Sequence, residues 1–139
     1  MAIPGGCVIY DGYSEGVKTV ASTAYVEGAL VKLSADHTVT PCTTAGEQAY
    51  GICTEDLAAA DNTEARSITV LRFGKVRLQA GAAITHGALL TVLGTGSYKY
   101  RPKVASSAND KVIGIADTAQ ATAGSTFEAS VNFFGGGNY

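Results

Sequence analysis

Apolar residues in this chain come in short runs broken by glycine, proline and small polar residues, with no sustained 3.6-residue period. Such runs predict strands at Cys7 to Tyr10, Val17 to Val20, Thr38 to Thr40, Ala49 to Thr54 and Ser67 to Phe73. Further strands are expected at Lys75 to Gln79, Leu89 to Leu93, Tyr98 to Arg101, Lys111 to Asp117 and Phe127 to Phe134. Asp11-Gly12, Glu15-Gly16 and Asp36-His37 read as turns between strands, and Gly94 to Ser97 as a hairpin connection. Ala29-Leu30-Val31 and Ala88-Leu89-Leu90 are continuous apolar runs, as strands buried on both faces require, so Leu30 and Leu89 are expected in the core. Leu57 to Ala65 reads as a loop. The expected fold is all-β, one domain over 1–139, with a flexible N-terminal arm (1–6) and a Gly-rich C-terminal tail (136–139).

The pattern also repeats. Val17 to Leu33 aligns without a gap on Val76 to Val92, 59 positions later, and Gly28-Ala29-Leu30 falls on Gly87-Ala88-Leu89. Gly51-Ile52 matches Gly114-Ile115, and Phe73-Gly74 matches Phe134-Gly135. The step from Gly28 to Gly51 is 23 and from Gly87 to Gly114 is 27, so the second copy carries about four extra residues, expected in a turn near Ser106 to Asp110. The reading is one β unit used twice, over 17–78 and 79–135.

Composition narrows the function. The formal charge of −2 gives no global pull toward nucleic acid or membrane, and neither is expected as a partner. Charged residues are only 16%, against roughly 25% in an average chain, which fits a surface covered by partners or a Ser/Thr-rich β surface. No apolar run is long enough for a membrane helix, and Met1 to Gly6 lacks the regions of a signal peptide. Cys7, Cys42 and Cys53 form an odd set without paired spacing and read as reduced core residues.

Candidate chemistry is sparse. His37 and His86 have no Cys or His at metal-ligand spacing and read as turn residues. Glu55-Asp56 and Asp61 to Glu64 form an acidic patch, read as a solvated loop because nothing implies the burial that would separate two carboxylate pKa values. The glycine clusters lack the Lys-Ser/Thr ending of a phosphate loop, and no Gly-x-Ser-x-Gly elbow occurs. No catalytic residue, metal or cofactor is expected. Lys99, Arg101 and Lys103 alternate with Tyr98, Tyr100 and Pro102, so on a strand the cations would share one face as a partner-facing basic edge.

Three motifs carry a resemblance. They are Ala-x-x-Ala-hydrophobic-x-x-Gly-x-Leu-hydrophobic at Ala21 to Val31 and Ala80 to Leu90, Gly-Ile-Cys/Ala at Gly51 to Cys53 and Gly114 to Ala116, and the strand Ser67 to Gly74. On these the chain resembles, over 7–135, the capsid decoration (cement) proteins of tailed phages known as the DUF2190 family. That resemblance implies a compact β-tulip or β-clip-like domain, similar to lambdoid head-stabilising proteins. It further implies a homotrimer on the capsid exterior of the virion, bound to the major capsid protein after shell expansion, without enzymatic activity. The contact candidates are Ala2, Ile3 and Pro4 in the arm, Lys99, Arg101 and Lys103 on the basic edge, and Phe133, Phe134 and Tyr139 at the C-terminal end. The arm is the first of these, because ordering a flexible segment is costly unless a partner rewards it. The alternative is a carbohydrate- or host-surface-binding β-module, a head fibre or adhesin, with a pocket lined by Tyr10, Tyr13 and Tyr25.

Overall fold

The computed structural model describes residues 8–134, with side chains from residue 12 onward. Among the described residues nine strands form: β1 (Val8–Thr19), β2 (Leu30–Ala35), β3 (Thr38–Pro41), β4 (Gly51–Cys53), β5 (Ser67–Gln79), β6 (Leu89–Val92), β7 (Pro102–Val104), β8 (Gly114–Ala116) and β9 (Thr126–Asn132). A short 3-10 turn, Ala59–Asp61, lies within the stretch expected to be a loop. The fold is all-β. One sheet runs in the order β1-β3-β2-β4-β5-β9-β8-β6-β7, and β1 also pairs with β5, so the first five strands close on themselves. All pairs are antiparallel except β1 with β3. The far end of the sheet bends back in the same sense: the Gly81 N–H, just past β5, donates to the Pro102 carbonyl at the start of β7 (2.8 Å).

Two expected turns do not exist. Asp11-Gly12 and Glu15-Gly16 lie inside β1, which runs unbroken beside β5 with bulges between Ile9 and Asp11 and between Tyr13 and Ser14. Gly12 is there for close approach: a Cβ would sit 2.3 Å from the Phe73 carbonyl oxygen. Likewise Ser67 to Phe73 and Lys75 to Gln79 are one strand, β5, which is shared by both halves.

Each half has its own interior. In the first, Val17, Tyr25, Val31, Val39, Cys53, Ile68 and Val70 pack together. In the second, Val76, Ile84, Leu90, Ala116, Phe127 and Ala129 do so, within a larger cluster that also takes in Leu30, Ile52 and Leu71 from the outer face of the first ring. The hydrogen bonding recurs between halves. Tyr25 bridges Leu57 as Ile84 bridges Gln120. Gly28 donates to the Cys53 carbonyl as Gly87 does to that of Ala116. Leu30 lies opposite Ile52 as Leu89 lies opposite Ile115, and Leu33 opposite Val39 as Val92 opposite Pro102. On these pairings Asn132, not Phe134, holds the position equivalent to Phe73, because β4 and β8 meet β5 and β9 at Ile52–Leu71 and Ile115–Ser130.

The pairings also relocate the extra residues. Leu33 and Val92 are 59 positions apart, whereas Val39 and Pro102 are 63 apart, so the insertion lies in the β6–β7 hairpin and not near Ser106 to Asp110. That longer hairpin reaches back over the first half. The Tyr100 carbonyl accepts the Leu30 N–H (2.8 Å), and Arg101 Nη1 donates to the Glu27 carbonyl (3.2 Å). Gly94 abuts the Thr44–Ala45 backbone. Its consequence is an asymmetry the sequence pattern does not reveal. Leu30 is 0% exposed beneath this contact, but Leu89, expected in the core, is 40% exposed, with no equivalent hairpin over it among the described residues.

Candidate binding surface

The cross-strand pair Tyr13–Phe73 joins β1 to β5 where the long strands bend. Their rings stack with centroids 5.7 Å apart and planes 19° from parallel. Phe134, just past β9, completes a triangle, 5.6 Å from Phe73 and 6.2 Å from Tyr13. All three rings are exposed, Phe134 at 55%. Exposed aromatics that touch one another form a patch, and patches mark interaction sites more often than scattered apolar residues do.

Beneath them Arg72 acts as a fixed support. Its guanidinium lies 3.7 Å from the centre of the Tyr50 ring and 4.3 Å from that of Phe134. Nε donates to the Tyr50 carbonyl (2.8 Å), Nη1 to Glu15 Oε1 (3.0 Å) and Nη2 to the Phe133 carbonyl (3.3 Å). The Tyr50 hydroxyl donates to the same Glu15 oxygen. These bonds hold the Glu15 carboxyl below its ordinary range, the Tyr50 hydrogen bond contributing most, against an opposing desolvation and with Arg72 adding to the lowering. Burial and the Glu15 bond raise the Tyr50 phenol. Around physiological pH the cluster is therefore a neutral phenol between a carboxylate and a guanidinium, with the phenol O–H and each guanidinium nitrogen donating a hydrogen bond. With a hydrogen bond from each of its three nitrogens, the guanidinium is fixed in place against the Phe134 ring, and preorganisation of this kind lowers the entropic cost of binding.

Two open depressions flank the triangle. One, about 400 Å³, is lined by Leu33, Gln48, Ala49, Tyr50, Phe133 and Phe134. The other, about 410 Å³, is lined by Gly12, Phe73, Gly74, Lys75 and residues Ser130 to Asn132 of β9. Among the described residues no cluster of His, Cys, Asp and Glu could hold a metal ion, and no helix is long and apolar enough to cross a membrane. Cys42 and Cys53 are buried thiols, with desolvation pushing Cys53 up to about 11 and Cys42 further, so both stay protonated.

The residues singled out from sequence scatter. Ala2, Ile3, Pro4, Cys7 and Tyr139 lie outside the described residues. Phe134 belongs to the platform, but Phe133 is buried in the main core. Lys99, Tyr100 and Arg101 do not alternate on a strand: they sit in the turn before β7, and Arg101 is buried with a guanidinium nitrogen on the Glu27 carbonyl. Lys99 lies 5.2 Å from the Tyr100 ring, and Lys103 alone of the three cations is on a strand, at the β7 edge. Of the expected Tyr10–Tyr13–Tyr25 pocket, the Tyr10 side chain lies outside the described residues, and Tyr13 and Tyr25 do not line a common site: Tyr13 is exposed on the platform. Tyr25 is buried, its hydroxyl donating to the Val39 carbonyl (2.6 Å) and accepting the Val20 N–H (2.8 Å). His37 and His86 are exposed, and Glu55 and Asp56 accept backbone N–H groups from Thr69 and Glu27. Glu15, Tyr50, Arg72 and Phe73 were missed. The available signal was Arg72 itself, a cation interrupting the apolar-rich run from Ile68 to Phe73 in β5.

No protein-family model and no curated protein matches the chain. Among solved structures it is similar to the crystal structure of the head fibre gp8.5 N base of bacteriophage phi29, with a TM-score of 0.63 at 11% identity, over 86% of this chain and 95% of that one. At that identity the likeness is one of fold, and it spans nearly the whole of both chains. Placed on this fold, the aromatic triangle with its Arg72 support is a surface for apolar or ring-stacking contact.

Proposed function

We propose that this protein is a non-enzymatic virion structural protein that binds the outside of an expanded phage capsid through its aromatic platform and stabilises the shell by cross-linking neighbouring capsid subunits. The observation that carries the reading is the contiguous exposed set Tyr13, Phe73 and Phe134 held by a committed Arg72. Tyr and Arg are the residue types that dominate interface energetics. The fold likeness to a phage head fibre base is the reason for taking the partner to be a phage shell. A trimer touching several subunits at once multiplies modest contacts through effective concentration. Sites in alignment only on the expanded shell would favour that state by linkage. The arm and the tail, which begins next to Phe134, remain contact candidates, and the cations of the β6–β7 hairpin are weaker ones, Arg101 being buried.

The test is co-sedimentation of the purified protein with unexpanded and expanded empty heads. Saturable pelleting with expanded heads, reduced at least tenfold in affinity by Tyr13→Ala/Phe73→Ala, is the expected result. Absence of pelleting with either form refutes it. The same platform favours a second reading, the base of a head fibre presenting a glycan- or host-surface-binding face, since an exposed aromatic surface beside an open depression also suits sugar stacking. Hits on a glycan array combined with unaltered capsid stability would select that reading instead.

A further inference from the structure

The asymmetry between the halves names a partner. Leu30 and Ile52, opposite each other on β2 and β4, are both 0% exposed, and they share a cluster with Val92 at the base of the second half's hairpin. Leu89 and Ile115 stand opposite each other in the same way on β6 and β8, yet each is 40% exposed. Conversely, the residue equivalent to Val92 of that cluster is Leu33, at the base of the first half's hairpin, and it is 50% exposed while Val92 is 0%. Each chain therefore contains one satisfied contact of hairpin base on outer face, one uncovered outer face, and one hairpin base with nothing to cover.

We infer that the uncovered Leu89–Ile115 face docks onto the Leu33 depression of a second copy of this chain, repeating between chains the packing that joins the two halves within one. The occupant is set by the internal arrangement: the same strand positions, in the same pairing, are buried in one cluster with the equivalent hairpin-base position of the other half, whose hairpin also bonds the Leu30 N–H. The receiving side is already concave and apolar, with Leu33, Ala49, Tyr50 and Phe134 lining it. The two surfaces differ, so the contact is heterologous. It closes into a ring or runs on as a filament according to the rotation per copy. Of the platform rings, Phe134 lines this depression, while Tyr13 and Phe73 lie outside it. Self-association is measured without shells and is perturbed at Leu33 and Ile115, neither of which belongs to the platform, so its failure and the failure of shell binding are distinguishable.

Sedimentation velocity over a wide concentration series tests it on the full chain. The wild-type protein should associate above monomer mass as concentration rises. Ile115→Glu and Leu33→Glu should each be monomeric at every concentration, with an unchanged far-ultraviolet circular dichroism spectrum and melting profile, since both residues are exposed. An equimolar mixture of the two variants should form a dimer and stop there, because one supplies an intact face and the other an intact depression. If either glutamate variant unfolds, Leu89→Ser and Leu33→Ser replace the pair. A wild-type chain that stays monomeric throughout overturns the inference. So does association that survives in either variant, or a mixture that remains monomeric.

Discussion

Gly94 gives the sharpest handle on how the halves are joined, because a control sits two residues away. Gly94 and Gly96 both lie in the β6–β7 hairpin at positive φ, +80° and +74°. Alanine at either pays the left-handed penalty of about 1–2 kcal/mol. They differ in surroundings. A Cβ on Gly96 meets nothing within 4 Å, whereas one on Gly94 falls 2.1 Å from the Ala45 nitrogen and 2.4 Å from the Thr44 carbonyl carbon. Both are backbone atoms, so no rotamer change relieves the clash and the hairpin must lift from the first half. Forcing atoms into a packed site costs about 1–3 kcal/mol, and more if the lifting wets Leu30. Gly94→Ala is therefore expected to cost about 2–5 kcal/mol and Gly96→Ala about 1–2. At roughly 4 °C per kcal/mol for a domain of this size, their melting temperatures should separate by several degrees. Urea unfolding of both variants checks the difference. Equal losses within about 0.5 kcal/mol, the usual tolerance of a surface change, would refute the docking role of this hairpin.

Three further outcomes follow from the same packing. Leu30→Ala should lose about 2–5 kcal/mol as a large-to-small core change, while Leu89→Ala, at the equivalent position, should lose under about 0.5 kcal/mol in dilute solution; parallel denaturant titrations distinguish them. Asn62, fully buried, accepts from the Thr19 hydroxyl and donates to the Val20 and Thr23 carbonyls, so Asn62→Ala should cost about 2–4 kcal/mol by stranding those groups, read by chemical unfolding. Because the folded Glu15 carboxyl sits below its unfolded value of about 4.3, its contribution is present above that pH and is lost as pH falls through the folded value. Melting temperature scanned from neutral to acid should show a shallower acid loss in Glu15→Gln than in wild type, leaving the part due to Asp110, itself lowered by the Ser106 and Ser107 N–H groups.

What could be read from the sequence was local. β-Branched runs such as Ser-Ile-Thr-Val announced strands, and the Gly28-Ala-Leu and Gly87-Ala-Leu matches aligned positions that make equivalent hydrogen bonds. What could not be read depends on contacts distant in sequence. Gly12 resembles a turn residue but serves a close approach to Phe73. Leu30 and Leu89 are the same residue in the same local pattern, and only a hairpin seventy residues from the first separates their burial. The alternating Lys99–Lys103 pattern suggested a cationic strand face, but Lys99 to Arg101 form a turn that tucks Arg101 against Glu27 and only Lys103 reaches β7. On the binding surface, Phe134 stood among the candidates, while its support by Glu15, Tyr50 and Arg72 comes from three strands or strand flanks that only the fold assembles.

Cryo-electron microscopy of expanded phage heads decorated with the purified protein tests the central claim most directly. The account predicts two-lobed density on the outer surface of the shell, bridging neighbouring capsid subunits, with the Tyr13–Phe73–Phe134 edge turned toward them. Heads that remain bare, or density in which that edge faces solvent while another surface makes the attachment, would contradict it.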